Sequence, residues 1–321
     1  MILVWGSPAD PPVAAVLDAL DDLSADVELL DDATVPALAY DLVVGPRPSG
    51  WLELGDRQVD LDEITAVYLR PGEQPRSGTP TSAALLAVLG SLPATVVNRP
   101  AAGRSNLAKP FQLAALAAAG LAIPDTLVTT DPGAARDFLA RHRRIVYKSI
   151  SGVRSVVASI NAGDPAGVER LDRLGHGPVQ LQQWIDGTDV RVHVVGDRWF
   201  ATSITAEATD YRYASDGTAP PELAPCDLPD DLGRRLVDVS HGMGLLVSGV
   251  DLRRTADESW CCFEINPSPG FTYYEGHTGQ PIAGAIAALL TGPVIGAAAP
   301  RTARTWWSDD AAPPVPRTGV P

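Results

Sequence analysis

One stretch constrains the chain more than any other: Val247 to Arg253, a polar turn over Thr255 to Ser259, and Trp260 to Glu275. The runs Val-Ser-Gly-Val-Asp-Leu-Arg and Trp-Cys-Cys-Phe-Glu-Ile carry β-branched and aromatic residues on either side of turn-forming residues, which predicts a β-hairpin. Period-two alternation places Glu264 and Asn266 on one strand face, and pairing across the turn brings Asp251 to that face. Three hard oxygen donors with no His or Cys suit Mg²⁺ or Mn²⁺, not zinc. A solvated strand face is the simpler account of any one acidic residue on a hairpin. Three at strand-compatible spacing, running into Asn-Pro-Ser-Pro-Gly, favour a metal site that borrows ligands from water and substrate phosphates.

The rest of the chain should then hold a nucleotide site. With 321 residues, 45% of them hydrophobic, the chain can bury a large core in two or three lobes. No stretch approaches the ~18 uninterrupted apolar residues of a spanning helix, so no membrane partner is expected. Met1 to Pro8 lacks a basic leader and reads as a first strand, which predicts a cytoplasmic protein. Its net charge of −14 argues against nucleic acid, whose phosphates need clustered basic residues. Three cysteines form no disulfide framework and no metal spacing.

Of 25 basic residues only Lys109 and Lys148 are lysine. A position that keeps Lys against such a bias suits a compact point charge, as phosphate binding requires, although two lysines can survive by chance. Lys148 ends the strand Arg144 to Lys148, and Ser149 to Ser155 follows as a small-residue loop. Backbone N–H groups there, around Ser151 and Gly152, can cradle an anion beside the lysine; an ordinary hairpin turn is the alternative.

Residues 1–98 read as strands alternating with helices, an α/β unit around a mainly parallel sheet without Gly-x-Gly-x-x-Gly. Leu42 to Gly45 reads as its third strand, and Gly55-Asp56 marks a hairpin. Helices are predicted over Pro110–Ala119 and Pro132–Arg141, the latter capped by Asp131. The runs before and after Asp186-Gly-Thr188 predict an edge on which an adenine can rest. His193, mid-strand, reads as a packed or surface residue. The segment from Gly292 reads as a poorly ordered or loosely docked tail.

In order, the chain contains Tyr68-Leu-Arg70-Pro71, Val97-Asn98-Arg-Pro100, Asn106-Leu-Ala-Lys109, Ile123-Pro-Asp-Thr-Leu127, Val146-Tyr-Lys148, Gln182-Gln-Trp-Ile185, Asp189-Val-Arg191, Gly249-Val-Asp251-Leu-Arg253 and Phe263-Glu264-Ile-Asn266-Pro267. Over residues 1–292 this order resembles the ATP-grasp superfamily, in the branch of RimK-type glutamate ligases and the maturases of crosslinked ribosomal peptides (graspetides). The resemblance implies an α/β ATP-grasp fold with the nucleotide between two lobes. The expected division is a pre-ATP-grasp domain at 1–100, a central lobe at 101–187, a C-terminal lobe with the metal site at 188–292, and a tail at 293–321.

It also implies roles. Lys109 and Lys148 are the nucleotide-phosphate lysines, with Ser151 and Gly152 in the phosphate loop that follows Lys148. Gln182, Gln183, Trp184 and Ile185 form the adenine hinge, and Asp189 completes the cofactor set. Asp251, Glu264 and Asn266 hold Mg²⁺ or Mn²⁺. Arg191, Arg212 and Arg253 lie near the γ-phosphate and the substrate carboxylate. Two features depart from the family: the loop after Lys148 is poorer in glycine than in RimK-like ligases, and Pro267 to Glu275 is a variant expected to shape the acceptor side.

The implied chemistry is ATP-dependent activation of a carboxylate as an acyl phosphate, followed by amide formation with an amino acid or peptide. The alternative is a graspetide-type macrocyclase that closes side-chain esters or amides. A nucleotide-binding module without turnover is the third reading, and the complete metal and lysine set argues against it. No general base stands out beyond Asp210 and Glu275, and self-association into a homo-oligomer is left open.

Overall fold

The computed structural model describes residues 1–45, 47–72, 79–103, 109–148, 158–172, 177–206 and 220–296. Strand β1 (Ile2–Gly6) is buried along its whole length. It lies between β2 (Val27–Leu30) and β6 (Ala66–Arg70), with β7 (Thr95–Val97) beyond, in an all-parallel sheet. A parallel sheet needs cover on both faces, which is why β1 is apolar without alternation. Ile2 and Val4 enter a cluster with α1 (Pro11–Asp22) and the last described helix, α8 (Ile282–Thr291). Leu3 and Trp5 enter another with α2 (Pro80–Leu89) and the hairpin strand β4 (Ser49–Leu54).

The run at Leu42 differs from its expected place. It forms β3 (Tyr40–Val43), which pairs antiparallel with β4 and, through it, β5 (Arg57–Asp60). Gly50, at φ +125°, makes this possible, since a Cβ there would stand 1.9 Å from Asp41 O.

A second, antiparallel sheet runs β10 (Ala158–Asn161), β9 (Arg144–Lys148), β11 (Val179–Gln183), β8 (Thr126–Thr129). Its apolar face (Ile145, Ile160, Val179, Leu181) packs on α4 (Pro132–His142) and α5 (Pro165–Asp172). Asp131 caps α4 as expected, accepting from Gly133 N at 2.8 Å.

The third sheet runs β14 (Glu222–Pro225), β13 (Arg198–Thr205), β12 (Thr188–Val195), β15 (Val247–Arg254), β16 (Trp260–Asn266), all antiparallel. Val190, Val192, Val194, Val250, Leu252 and Ile265 give it one apolar face, covered by α3 (Lys109–Ala118) and α6 (Asp230–Gly242). The runs around Asp186-Gly187 therefore do not share an edge: β11 and β12 belong to different sheets, and Trp184 to Gly187 is the crossover between them. No described helix is long and apolar enough to cross a membrane. Beyond Gly296 the expected tail lies outside the described residues.

Candidate active site

The polar face of the third sheet carries the candidate metal residues. Asp251 pairs directly with Glu264, Gly249 with Asn266, and Arg191 on β12 with Asp251. Cross-strand partners share a face, so the three expected ligands converge. Strict alternation would also turn Cys262 to this face. Instead the register slips between Asp251 and Leu252, so that Leu252 pairs with Cys262 and Phe263 is the extra residue of a β-bulge. The bulge sends Glu264 to the polar face and Cys262 into the apolar core.

Two cations meet this face. Lys109, the first residue of α3, sets Nζ 3.2 Å from Glu264 Oε2. Arg191, buried, sets Nη1 2.9 Å from Asp251 Oδ1. Burial pushes the Glu264 carboxyl up, but Lys109, Lys148 and hydrogen bonds with Asp251 and Lys109 outweigh it and hold it down at about 2. The all-oxygen set Asp251, Glu264 and Asn266 fits a hard divalent cation. Among the described residues no group of three His, Cys, Asp or Glu forms a metal cluster; Asn266, the third residue of the expected set, brings a carboxamide instead.

The second sheet presents its own polar face. Lys148 pairs with Gln180 and Val146 with Gln182, so Lys148, Gln180 and Gln182 share it. Lys148 Nζ lies 5.6 Å from the Phe263 ring centre. Gln182 donates to Thr126 Oγ1 at 3.2 Å. The side-chain oxygens of Gln180 and Gln182 are buried without a hydrogen-bond partner among the described residues. Buried amide oxygens are expected to be paired, and a donor such as the exocyclic amine of adenine fits them. Gln183 and Trp184 use their backbone N–H groups within the fold, on Asp125 O and Arg144 O at 2.8 and 3.1 Å. Ile185 O and Asp189 both accept from Arg253. The expected site residues Ser151, Gly152 and Arg212, and the base candidate Asp210, lie outside the described residues. Glu275, the other base candidate, accepts from Ala283 N at 3.2 Å at the start of α8, which ties its carboxylate to the fold.

Several residues at the site were given no role by the sequence. Asn98, at the end of β7, donates to Val247 O and Pro267 O and accepts from Leu246 N and Val247 N, which clamps the foot of the metal hairpin. Arg70, at the end of β6, donates to Ser268 Oγ and Pro269 O, both at 3.0 Å. Both sit at carboxyl ends of parallel strands, where α/β sheets form their ligand crevices. Gln112 on α3 exchanges two hydrogen bonds with Ile265 and so covers the outer edge of β16. Tyr274 sits on α7 (Thr272–Thr278), a helix the sequence did not suggest; its hydroxyl is 3.5 Å from Arg191 Nε. His193 packs on the Tyr274 ring, fully buried; burial, then Arg191, holds its pKa well below the ordinary value, so it is neutral. The signal for Asn98 and Arg70 was their place at strand ends; the rest depend on contacts remote in sequence.

The RimK-like ATP-grasp domain matches residues 106–290. A probable alpha-L-glutamate ligase of Mannheimia succiniciproducens is 28% identical over 69% of the chain and 77% of its own length. One from Cellvibrio japonicus is 37% identical, but over only 33% of the chain and 34% of its own length. Two further curated relatives, a probable alpha-L-glutamate ligase of Alkalilimnicola ehrlichii and a human beta-citrylglutamate synthase B, are matched over 34% and 29% of their length. Among solved structures, the ATP-grasp ligase PsnB complexed with minimal precursor is 28% identical, with a TM-score of 0.73 over 90% of this chain and 97% of that one. PsnB has also been solved with Mg and ADP. The macrocyclase MdnC of Microcystis aeruginosa MRC, bound with precursor peptide MdnA, shares the fold at 23% identity, a TM-score of 0.74, and 90% and 99% coverage. With residues 106–290, more than half its length, matched by that domain, the chain belongs to the RimK-like ATP-grasp family.

Proposed function

We propose that the chain is an ADP-forming carboxylate ligase. A substrate carboxylate attacks the γ-phosphorus of ATP, giving an acyl phosphate and ADP. An amine or hydroxyl then attacks the acyl carbon, phosphate leaves, and the nucleophile loses its proton. The observation that carries this reading is the convergence of Lys109, Arg191, Asp251 and Glu264 on one sheet face, with a second face carrying Lys148 and two unsatisfied glutamines.

In this reading Lys109 and Lys148 neutralise phosphate oxygens, Gln180 and Gln182 face the base, and Arg191 holds the developing charge with a planar fork that lysine cannot reproduce. Asp251, Glu264 and Asn266 would hold Mg²⁺, which supplies charge neutralisation between the phosphates. Asp251 and Lys109 are held by their partners before any ligand arrives, a form of preorganisation.

A peptide acceptor is the favoured second step. The resemblance to PsnB, whose structure contains a precursor, spans 90% of the chain at 28% identity and supports this step. Macrocyclisation of a precursor peptide is therefore the more specific form of the reading, and ligation of a free amino acid the other. Incubation with ATP, Mg²⁺ and candidate peptides or amino acids, followed by mass spectrometry, separates them. Loss of one water per bond within the peptide marks macrocyclisation, and a mass gain of one residue marks ligation.

A further inference from the structure

Arg253 lies on the polar face of β15, yet its guanidinium is already engaged. Nε and Nη2 donate to Asp189 Oδ1 at 2.9 and 2.6 Å, and Nη1 donates to Ile185 O at 2.7 Å. The same cation lies 5.3 Å from the ring centres of both Trp184 and Phe263. Trp184 also carries Arg144 against its ring at 3.4 Å, and its backbone N–H donates to Arg144 O. Arg144 opens β9, the strand that ends on Lys148. Gly187, at φ +151°, lies so close to Arg254 that a Cβ would meet its carbonyl oxygen at 2.2 Å. The crossover Trp184–Gly187 is thus pinned to the second sheet through Arg144 and to the third through Arg253.

We propose that Arg253 is a positioning residue, a latch that keeps the lysine-and-glutamine face of the second sheet in register with the carboxylate face of the third. The inference rests on the proposed nucleotide site, and differs from the role the resemblance implies for Arg253, a place near the γ-phosphate and the substrate carboxylate. Three of its five N–H donors are spent on Asp189 and Ile185, and the fork geometry that serves them is specific to arginine. Breaking the latch would move both sheets' ligands apart, so it would act on every nucleotide. A γ-phosphate contact would act on the triphosphate alone.

The test is calorimetric binding of Mg-ADP and a non-hydrolysable Mg-ATP analogue to wild type, Arg253→Gln, Asp189→Asn and the double variant, with folding checked by thermal melting. The latch predicts that Arg253→Gln weakens both nucleotides by the same factor, about tenfold, and that the double variant is no weaker than the worse single, because residues in one network are not additive. Arg253→Lys provides the second reading if Arg253→Gln fails to fold. An ammonium keeps the charge but cannot span Asp189 and Ile185, so both nucleotides should again weaken equally. Loss confined to the ATP analogue, additive effects, or unchanged binding in Arg253→Gln would each overturn the latch while leaving the nucleotide site standing. Absence of nucleotide binding by wild type would overturn the site and the latch together.

Discussion

Asp251 stands directly opposite Glu264 across β15 and β16, at the point where the extra residue Phe263 breaks the ladder. Two facing carboxyls in a partly buried site favour nearby positive charge, and Lys109 and Arg191 supply it at 3.2 and 2.9 Å. Glu264→Gln should leave the protein folded and reduce Mg-dependent turnover by about 100-fold or more, because the charge that fits the cation is gone. ADP release followed by a coupled assay checks this, and wild-type turnover would remove Glu264 from the metal set.

The same carboxylate gives a pH prediction. Its folded pKa, about 2, is depressed from an ordinary value of 4.5, so its contribution to stability is present above pH 4.5 and lost as pH falls toward 2. The stability difference between wild type and Glu264→Gln, measured by denaturant melts without metal, should therefore be constant near neutrality and shrink below about pH 4.5. A difference that grows on acidification would contradict the charge assignment.

Gly249 leaves space that Arg191 uses. A Cβ there would lie 3.1 Å from Arg191 Nη1 and 2.8 Å from Pro269 Cβ. Gly249→Ala should displace the guanidinium and lower kcat by about 10²-fold, as misplacement by an ångström does, while nucleotide affinity changes little. Steady-state kinetics beside calorimetry separate the two quantities.

Asn98 satisfies four backbone groups at the start of β15 and just past the end of β16. Asn98→Ala strands them in a part-buried place and should cost about 2–4 kcal/mol. A melting temperature within a degree of wild type would show that the clamp is dispensable.

Much of this was legible in the sequence because it is periodic or local. The alternation of Glu264 and Asn266, the turn at Thr255 to Ser259 and the Asp131 cap act over a few residues, and each element formed where those patterns put it. The bulge at Phe263 was not legible, since nothing in Trp-Cys-Cys-Phe-Glu announces which residue will lack a partner. Nor was the separation of β11 from β12, because Asp-Gly between two apolar runs is also a hairpin signal; only Gly187 folding onto Arg254 decides it. Tyr274 and Gln180 were missed for a related reason: α7 is short and aromatic, and a glutamine on a sheet face signals nothing until its oxygen is seen to lack a donor.

If the two polar faces form one nucleotide site, as proposed, nucleotide binding must depend on both. Isothermal calorimetry with Mg-ATP analogue on wild type and Lys148→Ala should show saturable binding by the first and an affinity lower by about tenfold or more in the second, the loss of one phosphate-paired charge. Equal affinity in the two proteins, or no binding by wild type, would contradict it.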